Sequence, residues 1–296
     1  MRDRQSDTDN ISNIKIIQLP SLRQIQAATQ WLHYHTHQNP DLEYALSLVL
    51  QRRILPHKSG EIILIACNAS TVMGLTRKDV RGVLMGSLGN TNLSLESGDK
   101  ATALSLFSLI KSQGCPQRIA VSNQVKEWIK PYLLEDYQLA KEFDQFAMIC
   151  TKSPLGGEGR WAQIRDKPQL QNYAQAYLKE RGSGSLTQNW DEYIIRQRIA
   201  VLERDRQIVS VVRYDATDYH ALVIAPYTFS QYRRRGYARK LLAFLTQKLV
   251  RRYSVVKLWV DEENTGAVAL YRSLGFIQVG NCYTGYFQDK DNSNMD

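Results

Sequence analysis

Cysteine is scarce in this chain. Cys67, Cys115, Cys150 and Cys282 stand far apart and repeat no metal-ligand spacing, which excludes a zinc module and a disulfide-dense scaffold and leaves buried free thiols as the expectation. Long apolar runs are missing too. Ile62–Cys67 falls far short of the roughly twenty residues of a membrane span. The opening residues Met1-Arg2-Asp3-Arg4-Gln5-Ser6-Asp7 lack the apolar stretch of a signal peptide, so a cytoplasmic location is expected, with no membrane partner. Zinc-finger, RNA-recognition and heptad-zipper patterns do not occur. Neither does the Gly-Lys-Ser/Thr of a Walker A loop, nor the three spaced glycines of a dinucleotide fingerprint.

What is present suits a globular protein of two domains. The chain has 296 residues, 43% of them hydrophobic and 23% charged, enough for a substantial core in each half. Its formal net charge is +9. An anionic ligand accounts for part of that excess and a solvated basic surface for the rest; without a nucleic-acid motif the charge does not argue for DNA or RNA.

Residues 1–13 are polar and read as a frayed end. Ser21-Leu22-Arg23-Gln24 has capping-box form and opens a helix to about His37, stopped ahead of Asn39-Pro40. A second helix runs from Asp41 to about Leu55. Strand-like runs follow at Glu61–Asn68, Thr71–Leu75, Val80–Leu88 and Leu93–Leu95, then a helix from Ala101 to Ser112, a strand at Arg118–Ser122, a helix from Gln124 to Leu134 and a strand from Phe146 to Thr151. Ser153-Pro154-Leu155-Gly156-Gly157-Glu158-Gly159 reads as a linker between domains. Beyond it the order begins again: a strand at Trp161–Ile164, helices at Gln169–Arg181 and Trp190–Arg198, and antiparallel strands at Ile199–Glu203, Gln207–Tyr214 and Tyr219–Ala225. Both halves thus follow one plan, as a diverged duplication would. His33-Tyr34-His35-Thr36-His37 places His33 and His37 on one helix face, but no carboxylate or further histidine nearby completes a metal set; a helix-end histidine cluster is the expectation.

The chemistry concentrates after the third of those strands. Tyr232-Arg233-Arg234-Arg235-Gly236-Tyr237-Ala238-Arg239-Lys240 joins an apolar strand to a helix whose Ala238, Leu241, Leu242, Leu245 and Leu249 share a face. The first N–H groups of such a helix have no intrahelical partners and its dipole is positive there, so an anion is favoured. Further on, the strand Val255–Asp261 leads into Asn264-Thr265-Gly266-Ala267-Val268-Ala269-Leu270-Tyr271-Arg272-Ser273-Leu274-Gly275-Phe276. Asn264 is set to cap that short helix and Gly275 to end it. These two stretches, in this order, resemble the GNAT superfamily of acyl-CoA-dependent N-acyltransferases. The Q/R-x-x-G-x-G/A acyl-CoA loop matches Arg233–Ala238, and the N-x-x-A-x-x-L-Y-x-x-x-G-F helix matches Asn264–Phe276. The match covers about 160–288.

The resemblance implies an α/β (α+β) architecture of two GNAT-like subdomains, each a mixed, mostly antiparallel twisted sheet flanked by helices. Residues 1–152 would be a degenerate domain without the acyl-CoA loop, 153–159 the linker and 160–296 the catalytic domain, as in tandem GNAT proteins. It further implies transfer of an acetyl group, rather than an aminoacyl group, from acetyl-CoA to a primary amine by direct attack in a ternary complex. The partners would be acetyl-CoA and a small-molecule or peptide amine, in a monomer or an oligomer. Binding of acetyl-CoA would fall to Tyr227, Thr228, Arg233, Arg234, Arg235, Gly236, Tyr237, Ala238, Arg239, Lys240, Asn264 and Tyr271. Within that set the backbone of Thr228 pairs with the pantetheine arm, the N–H groups from Arg234 to Arg239 cradle the pyrophosphate, and Tyr271 protonates the leaving thiolate. Pro226 stands where the family supplies a carbonyl-polarising N–H and has none, so either Tyr227 or a shifted bulge supplies it or this step works differently here. Asp261, Glu203 and His220 are positional candidates for the general base, and a water chain is another. Two rivals stay open: a non-catalytic CoA-binding sensor or interaction protein, and a tandem-GNAT transferase that takes aminoacyl groups from tRNA.

Overall fold

The computed structural model describes residues 14–35, 39–52, 61–87, 92–111, 114–182, 189–218 and 220–290. The ends of the first two expected helices, His37 among them, lie outside these ranges. The chain divides into two compact units that are each discontinuous in sequence: residues 1–147, 259–263 and 279–296 form one, and 148–258 with 264–278 form the other.

The first unit begins with β1 (Ile14–Ile17), α1 (Leu22–His35), α2 (Pro40–Arg52), β2 (Glu61–Asn68), β3 (Val80–Ser87) and β4 (Asn92–Ser97). It continues with α3 (Lys100–Lys111), β5 (Arg118–Ser122), α4 (Asn123–Asp136) and most of β6 (Tyr137–Cys150). β1 to β4 form an antiparallel meander, and β5 joins it parallel to β4, from Asn92↔Arg118 to Leu95↔Val121. The other edge of β5 is taken by the chain's final strand, β12 (Ile277–Asp289), antiparallel from Cys282↔Ser122 to Tyr286↔Arg118. The Ser21 capping box is present, with Ser21 N–H donating to Gln24 Oε1 at 2.9 Å. One apolar cluster packs α1 and α2 on the sheet through Ile25, Leu32, Leu42, Leu46, Ile63 and Ile65; another packs α3 and α4 through Leu106, Ile110, Ile129 and Leu133.

Two strand expectations are corrected here. Thr71–Leu75 is a turn: Thr71 Oγ1 donates to the Asn68 carbonyl at 2.9 Å and Gly74 N–H to the Thr71 carbonyl at 3.1 Å, so local bonding wins over a ladder. β6 starts nine residues earlier than Phe146, running through Lys141, Glu142 and Asp144. Its charges are met by α4, where Lys130 Nζ pairs with Glu142 at 2.6 Å and Lys126 Nζ with Asp144 at 2.7 Å.

The second unit repeats the plan. It contains β7 (Arg160–Trp161), α5 (Lys167–Arg181), α6 (Trp190–Ile195), β8 (Ile199–Arg204), β9 (Gln207–Ala216), β10 (His220–Thr228), α7 (Tyr237–Leu249), the first part of β11 (Val255–Asp261) and α8 (Thr265–Ser273). β7 to β10 are antiparallel in sequence order, and β11 adds parallel to β10. Each unit is therefore a mixed, mostly antiparallel sheet with helices packed on it, an α/β arrangement. The two faces of β9 differ. Tyr214 points to Trp161 and through it to Phe244 of α7, with ring centroids 6.0 and 5.7 Å apart. The alternate residues Val211 and Arg213 face α5 and α6, where Tyr173, Trp190 and Ile194 are buried.

Residues 153–159 lie against α7 as a fitted strap. Gln247 Nε2 donates to the Pro154 carbonyl at 2.8 Å, Glu158 N–H to the Lys240 carbonyl at 3.0 Å, and the Glu158 carboxylate joins Lys240 and Arg204 at 3.0 and 2.6 Å. Gly157 is required by contact, since a Cβ there would stand 2.7 Å from the Phe244 backbone nitrogen.

Candidate active site

The motifs resembling the acyl-CoA loop and its companion helix fall on the C-terminal part of β10, the loop to α7, and α8. The parallel ladder between β10 and β11 runs only from His220↔Val255 to Leu222↔Lys257, while β10 continues to Thr228. Past Leu222, β10 has no register partner on the part of β11 that belongs to its own unit, and strand groups left unpaired in this way can take an added strand-like ligand. On its other side β10 carries one extra residue between Ile224↔Arg213 and Tyr227↔Val211. The bulge falls at Ala225-Pro226, where Ala225 has φ +47°, and proline is tolerated there because a bulge needs no ladder donor. The Ala225 carbonyl accepts from the buried phenol of Tyr173 at 2.7 Å. Ser210 Oγ donates to the Tyr227 carbonyl at 3.0 Å and lies 2.9 Å from Thr228 Oγ1. Tyr227 and Thr228 are thus held on both sides just past the bulge.

From Thr228 the chain turns through Ser230–Tyr232 into the arginine loop. Arg233 is a brace. Its Nε donates to the Thr228 carbonyl at 2.9 Å, its Nη2 to Glu180 Oε2 at 2.6 Å, and its guanidinium lies 5.3 Å from the Tyr227 ring centroid. The Arg233 bond holds the Glu180 carboxyl below the usual range, while burial and then Glu180 push the Tyr227 phenol up. Arg234 (φ +59°) and Gly236 (φ +75°) are both left-handed, alternating as in a backbone nest that turns N–H groups to one side. Gly236 stands at the N-cap of α7 with no side-chain cap, and a Cβ built on it meets no atom within 4 Å. The first intrahelical bond is Lys240 N–H to the Gly236 carbonyl at 3.1 Å. The N–H groups of Tyr237, Ala238 and Arg239 precede it and so meet no carbonyl of their own helix.

The loop's side chains divide. Lys240 is engaged by Glu158, whose carboxyl it holds down together with Arg204. Arg234, Arg235 and Arg239 are in no ion pair among the described residues. Tyr237 carries Arg204 at 5.3 Å over its ring.

In α8, Asn264 Oδ1 accepts from Ala267 N–H at 3.1 Å, the expected cap. Tyr271 is 5% exposed and packs edge-on to Phe276, with centroids 5.8 Å apart. Of the residues weighed as general base, Glu203 pairs with Arg160. Asp261 lies in the first unit, where it accepts from Gln145 Nε2 at 2.7 Å. His220 is buried at the start of β10, on the order of 26 Å along the strand from Thr228 at the usual rise per residue.

The corresponding place in the first unit is closed to an anion. Asp99 stands at the head of α3, its Oδ1 accepting from Thr102 N–H and its Oδ2 from Thr102 Oγ1, both at 2.8 Å. A carboxylate already occupies the positive end of that helix.

Sequence reasoning missed the support of the site. Tyr173, Glu180 and Arg213 brace or border it, and of these only Arg213 was detectable, as the single charge within Ile208–Tyr214.

Comparison with known proteins fits this geometry. Residues 161–276 match the family model described as "Acetyltransferase (GNAT) family". In three dimensions the chain is similar to a GNAT-family acetyltransferase from Colwellia psychrerythraea, with TM-score 0.56 and 15% identity over 93% of this chain and 100% of that one. A Drosophila protein gives 0.63 and 12% over 92% and 98%, and a GCN5-related N-acetyltransferase from Sphaerobacter thermophilus gives 0.56 and 14% over 93% and 95%. At these identities the likeness is one of fold. No curated protein matches the chain in sequence. Residues 161–276 thus resemble the GNAT acetyltransferases in sequence, and the chain shares their fold. No described helix is long and apolar enough to cross a membrane.

Proposed function

We propose that the protein transfers an acetyl group from acetyl-CoA to a primary amine, in a chain of two GNAT-like halves (1–152 and 160–296, with the strap 153–159 between them) of which the second does the chemistry. One observation carries the reading. The uncapped start of α7, with its left-handed Gly236 and first N–H groups that no helix carbonyl meets, follows a β10 end that has no pairing past Leu222 with the β11 residues of its own unit, whereas Asp99 closes the counterpart in the first half.

The residues present suit the group. The N–H groups from Arg234 to Arg239 would hold the pyrophosphate, with Arg234, Arg235 and Arg239 adding charge. Arg233 would fix the loop rather than touch phosphate. The β10 edge at Thr228 would bond the pantetheine amides, and the side-chain amide of Asn264 would reach the same arm. When bound, the thioester supplies an acyl carbon open to attack. Tyr227 offers the first N–H after Pro226 for the oxygen that becomes negative. As the amine nitrogen bonds that carbon and the carbon–sulfur bond breaks, Tyr271 Oη gives its proton to the sulfur. The amine's own proton would pass to water, since neither Glu203 nor His220 stands free at this end of β10.

Calorimetry with acetyl-CoA tests the binding half. Gly236→Asp puts a carboxylate and a Cβ in the anion's space and costs the left-handed backbone its glycine; affinity should fall at least tenfold in a folded variant. Unchanged affinity would move the site elsewhere. Release of free thiol from acetyl-CoA across an amine panel tests the transfer. Binding without release from any amine would favour a CoA sensor.

A further inference from the structure

We infer that Arg213 recognises a carboxylate on the acceptor, so that the amine acetylated is that of an amino acid; this rests on the acetyl-transfer reading above. Arg213 lies within β9 between buried Val212 and Tyr214 and is itself only 4% exposed. Its Nε and Nη1 have no hydrogen-bond partner. Its guanidinium lies 5.8 Å from the ring of Tyr193, whose hydroxyl is directed to Asp215 at 3.2 Å. It is also close enough to Tyr173 for its charge to oppose the rise that burial imposes on that phenol.

A buried cation with unused donors is costly, and folds retain one where something bound completes it. The position says what. In register Arg213 sits opposite Ile224, next to the Ala225-Pro226 bulge, where the reacting carbonyl is proposed to lie. Neighbouring strands are about 5 Å apart. An acceptor whose nitrogen reaches the bulge therefore brings to Arg213 whatever group it carries a few bonds away. The aromatic walls of Tyr173 and Tyr193 suit a small organic anion, and a guanidinium matches a carboxylate in shape and charge.

The test uses amines in matched pairs: amino acids, 4-aminobutyrate included, against their carboxamides, with aminoalkyl phosphonates as a third set. Thiol release from acetyl-CoA and the thermal shift produced by each compound in the presence of CoA are both read. At least one acid should show a KM ten or more times below that of its amide, and Arg213→Met should bring that ratio close to one without lowering the melting temperature of the free protein. The inference falls if acids and amides behave alike, if phosphonates alone are preferred, or if Arg213→Met keeps the acid preference or merely destabilises the protein. Acetyl-CoA binding that persists through those outcomes leaves the donor site standing. Should acetyl-CoA itself fail to bind, the donor reading falls, and the acid-against-amide thermal shift in wild type and Arg213→Met still decides the role of Arg213.

Discussion

Replacing Glu96 with glutamine should make the protein more stable at alkaline pH and change it little near pH 4.5. Glu96 is buried in the first unit, its Oε1 accepting from Ser122 Oγ at 2.9 Å and from Ser97 N–H at 3.3 Å, while Oε2 has no partner. Burial raises its carboxyl from the ordinary 4.5 to about 7, against the hydrogen bonds that pull it down. Between those values the folded protein holds a proton that the unfolded chain has released. The contribution of Glu96 to stability is thus greatest below about 4.5, falls by about 1.4 kcal/mol per pH unit as pH rises, and levels off above 7. The shift is 7 minus 4.5, which amounts to about 3 kcal/mol of lost stability, to order of magnitude. Glutamine keeps an acceptor for Ser122 and Ser97 and has no proton to lose. Urea unfolding of both proteins, followed by circular dichroism from pH 4.5 to 8.5, should show their stability difference growing in favour of glutamine up to pH 7 and then holding constant. A difference that stays flat across the range, or a less stable glutamine variant at pH 8, would refute the reasoning.

Tyr271→Phe keeps the ring packed on Phe276 and removes only the hydroxyl; turnover should drop by roughly a hundredfold while acetyl-CoA affinity measured by calorimetry stays near wild type, and equal losses of both would make Tyr271 a binding residue. Gly157→Ala should lower stability by about 1–3 kcal/mol in thermal or urea unfolding, because its Cβ meets the Phe244 backbone, which cannot turn away as the Gln247 side chain beside it can; an unchanged midpoint would mean that the strap shifts freely.

Local signals carried much of the fold. The β-branched run within Gln207–Tyr214, the helical spacing of Leu241, Leu242, Leu245 and Leu249, and the cap at Asn264 each specify an element without reference to the rest of the chain. The acyl-CoA loop was legible for the same reason, since a glycine ahead of a basic amphipathic helix is a short-range pattern. What escaped depends on partners distant in sequence. Lys141, Glu142 and Asp144 read as loop residues until Lys126 and Lys130 of α4 are seen to meet the acids. Glu180 shows no link to Arg233 more than fifty residues on, and the glycines of 156–159 read as a spacer because their contacts lie on α7. Nor does Cys282–Tyr286, with the Tyr and Thr that strands favour, say which strand it joins.

That last pairing bears on how the protein is made and cut. Arg118–Ser122 leaves the ribosome with one edge bare, and the residues that cover it, Cys282–Tyr286, follow only after the whole second unit has been synthesised. The first unit must therefore carry an open strand edge, a site for unwanted pairing, through most of translation. The same pairing makes the strap at 153–159 a poor place to separate the halves. A protease cut there would leave β5 on one fragment and β12 on the other, joined by their ladder, by Thr284 Oγ1 on Gln145 at 3.1 Å and by Phe287 N–H on the Gln117 carbonyl at 3.1 Å. The nicked chain would run as two bands under denaturing conditions and as one species in native buffer.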